Sequence, residues 1–278
     1  LRVANITFHG NAACVYRITL TTSPQAVYSV PAGGRGGTKA AVEVFTMTGG
    51  RSLAVRKQAF ALPESKGPFR PPGLSAPQLV VDDRDNRLES EPNDTHKQAQ
   101  AVDLPATLHG RLASATDKDT FRFTARKDQR YTFRCQVVPA GLPTLPVLTL
   151  SDHSGKQLAE AQAVKDPDRE ARIEWQAPAD GDFQLNVRDL RFGSRGGHDF
   201  LYRLVLQPAR PDFALFAAAD SLNLLQAGNS AVDLRVKRLG GFDAAIDLAV
   251  EGLPEGVTVT PLKVDKGKTS VKLTFKAS

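Results

Sequence analysis

The chain has 278 residues, 41% of them hydrophobic and 24% charged. That length suits two or more compact domains, and that apolar fraction excludes general disorder. The net charge is +6, yet the basic residues are dispersed and do not interleave with aromatics, which argues against a nucleic-acid surface. No apolar run reaches the roughly 20 residues of a membrane-spanning helix, and no signal peptide is visible. With 22 Gly and 18 Pro between short β-branched runs, the expected fold class is all-β, as tandem β-sandwiches.

In chain order, the first signal is an internal repeat. Leu1-Arg2-Val3-Ala4-Asn5-Ile6-Thr7-Phe8 matches Leu185-Asn186-Val187-Arg188-Asp189-Leu190-Arg191-Phe192, and Val15-Tyr16-Arg17-Ile18-Thr19-Leu20 matches Leu201-Tyr202-Arg203-Leu204-Val205-Leu206. Residues 1–22 therefore read as the last two strands of a preceding copy of one module, and the chain as a piece of a longer array. Residues 23–83 read as a small Ig-like sandwich. Pro31 to Gly37 is a turn-rich opening, Ala41–Met47, Leu53–Leu62 and Gln78–Val81 are strands, and Pro63–Pro77 is an exposed loop. Arg84–Leu88 is a charged linker into the region 84–208, whose short alternating runs at turn-separated intervals predict a complete sandwich. Pro208 to Pro211 is a stiff break, and 209–278 reads as a second Ig-like sandwich with strands over Ala231–Val236, Ala245–Val250 and Ser270–Phe275.

Catalytic signals are weak. Ser151, Asp152, His153 and Ser154 are neighbours in a turn, whereas triad groups meet from separate elements, and no G-x-S-x-G elbow occurs. Gly33 to Lys39 lacks the residue order and the strand–loop–helix context of a phosphate loop. The five histidines have no paired metal spacing. The chain is read as having no catalytic residues and as not being an enzyme. Cys14 and Cys135 are read as buried free thiols in separate domains, and Trp175, Tyr16 and Tyr202 as structural. Phe8, Phe192, Phe200 and Tyr202 fall near hairpin ends, where an exposed aromatic patch would suit ligand binding.

The chemistry concentrates in two acidic segments, Glu89-Ser90-Glu91-Pro92-Asn93-Asp94 and Asp117-Lys118-Asp119. Five carboxylates this close repel one another unless water or a cation screens them. Oxygen-only ligands on irregular backbone suit Ca²⁺, which takes about six to eight oxygens. The absence of cysteine and histidine argues against zinc. The same residues also suit a solvated acidic linker in which Asn93 or Asp94 caps a turn.

These segments, with Asp180-Gly181-Asp182-Phe183 further on, resemble the bacterial pre-peptidase C-terminal domain over residues 88–208. That family is a secreted, jelly-roll-like β-sandwich module similar to the collagen-binding domains of clostridial collagenases. The resemblance implies Ca²⁺ held by Glu89, Glu91, Asn93, Asp94, Asp117 and Asp119. The flanking regions, with Gly252-Leu253-Pro254-Glu255-Gly256-Val257, resemble bacterial Ig-like domains such as those of large planctomycete surface proteins. Together these imply a non-catalytic, secreted or cell-surface module of a larger bacterial protein. Its partners would be the neighbouring domains of its own chain and an extracellular polymer or protein; adhesion to a carbohydrate or protein fibre is the alternative role, and an accessory region of a secreted hydrolase a further one.

Overall fold

A computed structural model describes residues 25–48, 52–72, 79–138, 141–165 and 170–278. The repeat strands expected over 1–22, and Cys14 among them, lie outside the described residues. The remainder is all-β, with one short 3-10 turn, Ala163–Lys165, and no helix among the described residues that is long and apolar enough to cross a membrane.

The first strands are β1 (Gln25–Val30), β2 (Gly33–Arg35), β3 (Lys39–Thr48), β4 (Ser52–Ala61), β5 (Gly67–Phe69) and β6 (Leu79–Asp82). They form two three-stranded sheets, β1-β3-β4 and β2-β6-β5, closed over Val42, Val44, Leu62, Leu79 and Val81. Two expectations are corrected here. The Gly33–Gly37 turn begins as β2, paired in parallel with β6, and the exposed loop over 63–77 contains β5. Glycine's missing side chain explains β2, because a Cβ on Gly33 would lie 2.3 Å from the Val80 carbonyl oxygen.

The central sandwich follows with β7 (Asn86–Leu88), β8 (Gln100–Ala101), β9 (Ala106–Arg111), β10 (Lys118–Ala125), β11 (Arg130–Gln136), β12 (Pro146–Asp152), β13 (Gln157–Gln162), β14 (Ala171–Gln176), β15 (Gly181–Asp189) and β16 (Leu201–Pro208). The sheets are β14-β11-β16-β9-β7 and β13-β12-β15-β10-β8. Inward rows with period two fill the space between them: Phe121, Phe123 and Ala125 from β10, Phe133 and Cys135 from β11, Leu204 and Leu206 from β16. Phe123 and Phe133 have ring centroids 5.0 Å apart, and Cys135 is a buried free thiol. The charged linker is not wholly irregular: β7 adds to β9 as a short parallel edge strand.

Sequence β16 reads Leu-Tyr-Arg-Leu-Val-Leu because both of its faces are covered. Tyr202, Leu204 and Leu206 face the core, whereas Leu201 packs outward on Tyr28 and Phe45 of the preceding unit. Near-continuous apolar text marks a strand buried on both sides. One sheet of the central sandwich therefore has the first unit seated against its outer face.

The last unit comprises β17 (Asp212–Ala217), β18 (Asn229–Leu239), β19 (Ile246–Asp247), β20 (Val257–Thr260), β21 (Lys263–Val264) and β22 (Ser270–Ala277). Its sheets are β17-β18-β22-β20 and β19-β21. The strand expected over Ala245–Val250 pairs only at Ile246 and Asp247.

Candidate metal centre

The acidic segment starts where β7 ends. Leu88 lies opposite His109 on β9, and the Glu89 N–H donates to the His109 carbonyl at 3.0 Å. This holds the Glu89 carboxylate over β9, where its Oε1 accepts the Arg111 N–H at 2.7 Å. From the other sheet, Asp119 occupies the inward row of β10 two residues before Phe121 and is fully buried. Glu89, Glu91 and Asp119 each present an oxygen, all within 4.8 Å of one another. The cluster straddles the two sheets at one end of the sandwich.

Asn93 is fully buried beside them. Its carbonyl accepts the Thr120 N–H at 3.0 Å, fastening the segment to β10, and its own N–H donates to Glu91 Oε2 at 2.9 Å. The side-chain amide lies against Glu91 Oε2 and Asp119 Oδ1, and with its nitrogen turned toward them it donates to both, at 3.3 and 3.0 Å. A cation among the oxygens would instead draw the amide oxygen inward.

Asp117 sits beside Glu91 and Asp94. One of its oxygens accepts the Ala113 N–H, and Oδ1 is buried without a partner. The carboxylates of Asp94, which is exposed, and Glu91 face it. Desolvation, reinforced by those two charges, pushes Asp117 up to about 6. Burial raises Glu89 and Asp119 above the ordinary carboxylate range; the charge of Glu91 adds to the rise at Glu89, and those of Glu89 and Asp117 to the rise at Asp119. Among the described residues, no lysine or arginine side chain forms an ion pair with any of these five acids.

All six residues expected from the sequence thus converge on one end of the sandwich. Glu89, Glu91, Asn93 and Asp119 make an inner set, with Asp94 and Asp117 beside Glu91. The sequence reading missed Tyr202, whose hydroxyl lies 2.8 Å from Glu89 Oε2 and 2.6 Å from Asp119 Oδ2. A phenol carries one proton, so only one of these acids receives it; the other contact holds only if that acid is protonated or a cation lies close by. Gly110 lies opposite Tyr202, and a Cβ there would come within 2.1 Å of the phenol and 2.3 Å of Glu89 Oε2. The signal available was the recurrence of Tyr at positions 16 and 202 of the repeat.

A second buried polar group lies on the outer face of the same strands. The Arg203 guanidinium pairs with Asp82 of β6, and Asp82 Oδ1 also accepts Arg84 N–H at 2.9 Å and Asn86 Nδ2 at 3.2 Å. Burial drives His109 down to about 3, so its ring is neutral. Nδ1 accepts the Ala32 N–H at 3.2 Å, which leaves the proton on Nε2 for Asn86 Oδ1 at 2.6 Å. This network joins the first unit, the linker and the central sandwich.

The expected turn at Ser151–Ser154 is a turn held by its own aspartate, with Asp152 Oδ1 accepting from Ser154 N–H and Oγ and from Lys156 N–H. Of the aromatic patch, Phe200 and Tyr202 are buried and Phe192 is exposed; Phe8 lies outside the described residues.

No family model and no curated protein matches the sequence. Solved structures to which the chain is similar include the pre-peptidase C-terminal domain of a collagenase from Bacillus anthracis, at 16% identity and TM-score 0.33, covering 43% of this chain and 100% of that one. Another is PliG of Aeromonas hydrophila, a periplasmic inhibitor of g-type lysozyme, at 13% identity and TM-score 0.29, covering 44% and 99%. A third is the CBM51-2 and INT domains of ZmpB from Clostridium perfringens, solved with GlcNAc, at 9% identity and TM-score 0.24; the match spans 63% of this chain and 39% of that one.

Proposed function

We propose that this chain is a non-catalytic, extracytoplasmic module of a larger bacterial protein, in which Ca²⁺ fixes the linker between the first unit and the central sandwich. The observation that carries the reading is the convergence of oxygens from half-buried Glu89, exposed Glu91 and buried Asp119, which no lysine or arginine pairs with among the described residues, at the point where the linker meets the sandwich. Glu89, Glu91, Asn93 and Asp119 would hold the ion, with Asp117 and Asp94 beside them. Hard oxygen donors, several of them carboxylate, fit Ca²⁺; Mg²⁺ demands stricter octahedral geometry and keeps its waters. The ion supplies positive charge that the fold otherwise lacks there, and with it the acids can ionise together. Glu89 and Glu91 then tie the linker to β9 and β10, and so set how the first unit is held.

The test is a thermal melt of the whole chain with calcium, with magnesium and with a chelator. An ion that binds only the folded state adds about 2.7 kcal/mol at a hundredfold excess over Kd. A rise specific to calcium, cut back in Glu91→Gln and in Asp117→Asn, is the expected result. Identical calcium shifts in both variants and the parent chain would refute the assignment.

A further inference from the structure

A second opening lies on the outer face of the other central sheet, away from the acids. His96, Lys97, Arg122, His153, Asp182 and Gln184 surround a crevice of about 320 Å³. Cross-strand register builds its floor: Arg122 on β10 lies opposite Gln184 on β15, and Thr124 opposite Asp182. The loop carrying His96 and Lys97 forms one wall, clamped by Gln184 Nε2 donating to the His96 carbonyl at 3.0 Å. The turn after β12 supplies His153 from the opposite side. Among the described residues, no ion pair or side-chain hydrogen bond engages Arg122 or Lys97. The guanidinium and the ammonium therefore line the crevice without an ion-pair partner. The single acid, Asp182, is partly occupied, because its Oδ1 accepts the Thr124 hydroxyl at 2.8 Å.

We infer that this crevice binds an acidic polysaccharide, with Arg122 and Lys97 holding an oxyanion of the sugar and Asp182 accepting from a neighbouring hydroxyl. A guanidinium fork matches the paired oxygens of a carboxylate or sulfate ester. A carboxylate beside two unpaired cations would weaken a site for a bare anion. It suits a ligand that carries both an anionic group and hydroxyl donors, as an acidic sugar does. Nucleic acid fits less well, since no Phe, Tyr or Trp face lines the crevice for base stacking and Asp182 would repel a phosphate backbone.

The experiment is affinity electrophoresis of the whole chain in saturating calcium, through gels containing dextran sulfate, hyaluronate (a carboxylate polysaccharide that calcium does not gel) or neutral dextran. Retardation by either acidic polymer and not by neutral dextran is expected, and the polymer that retards identifies sulfate or carboxylate as the oxyanion. Retardation by neither overturns the inference. Arg122→Gln, at an exposed strand position, should weaken binding at least about tenfold. Lys276→Gln, which removes the same charge from β22, should leave it unchanged. Equal losses in the two variants would mean attraction by net charge alone and would also overturn the inference. Asp182→Asn separates the sugar from a bare anion: weaker binding supports the hydroxyl contact, and stronger binding overturns it. These readings do not depend on the calcium response.

Discussion

Two buried polar groups, built on the same two strands, solve the problem of desolvation in opposite ways. On the outer face of β9 and β16, His109 and Arg203 meet Asp82, Asn86 and the Ala32 N–H, and donors match acceptors. Around the end of the sandwich, Gly110 and Tyr202 meet Glu89, the exposed Glu91, Asn93 and Asp119, and three carboxylates face too few donors to match them. The first group balances its charges without help, though it leaves one buried donor, Arg203 Nε, without a partner; the second balances only with protons or a cation. A buried polar network is stable when every member is satisfied. The lesson is that burial alone does not mark a site. The sign balance within the buried group does.

That contrast predicts opposite responses to charge removal. Arg203→Met should give the largest effect, because it leaves the Asp82 carboxylate at the junction without its cation. A loss of about 3 kcal/mol is expected in urea unfolding, alike with calcium and with chelator. A loss that calcium repairs would show that the two groups are one. Gly110→Ala comes next: the added methyl must displace the Tyr202 ring or Glu89, which should cost about 2 kcal/mol and reduce the calcium-dependent melting shift.

The pH dependence sharpens the comparison further. Glu89 and Asp117 have folded pKa values raised above their unfolded ones, to about 7 and about 6. The folded chain therefore binds more protons than the unfolded chain between about pH 4 and 7, and in chelator its stability falls as the pH rises through that window, with a slope of about 1 kcal/mol per pH unit. Calcium must displace those protons, so its affinity grows with pH. Melting temperature against pH should slope downward in chelator and flatten or reverse in calcium. Parallel curves would exclude an ion at these acids. His109, lowered to about 3 in the folded chain, works in the opposite sense up to about pH 6.5 and offsets one of the carboxylates, but it does so alike in chelator and in calcium and leaves the difference between the two curves intact.

The acids were legible in the sequence because five like charges in two short segments are anomalous before any folding is considered. Tyr202, Gly110 and the Arg203–Asp82 pair were not, because their roles arise from register. Tyr202 lies 113 residues from Glu89 and 83 from Asp119, and Arg203 lies 121 from Asp82. The sandwich class followed from turn spacing and alternation. Among the described residues nine strands escaped that reading: β2, β5, β8, β20 and β21 are only two to four residues long, too short for alternation to show, and the other four have local reasons. β1 and β17 follow Pro24 and Pro211, beside text that reads as breaks, and β7 is a polar edge. β13, Gln-Leu-Ala-Glu-Ala-Gln, is written in helix-favouring residues that pairing with β12 overrides. The run Ala245–Val250 alternated well but finds a partner only at Ile246 and Asp247.

The smallest effect is also the one whose sign matters most. Asp117→Asn keeps an oxygen for the Ala113 N–H and replaces the buried, unpartnered Oδ1 with an amide donor. That donor would face the Glu91 and Asp94 carboxylates that now oppose Asp117. In chelator the variant should be more stable than the parent chain by about 1 kcal/mol, the usual worth of a hydrogen bond gained with a repulsion removed. In calcium it should lose part of the ion's contribution and fall below the parent. The crossing of the two melting temperatures is the decisive reading. A solvated acidic linker would give no crossing, because water already screens each of its charges, and Asp117→Asn would then change stability little in either medium.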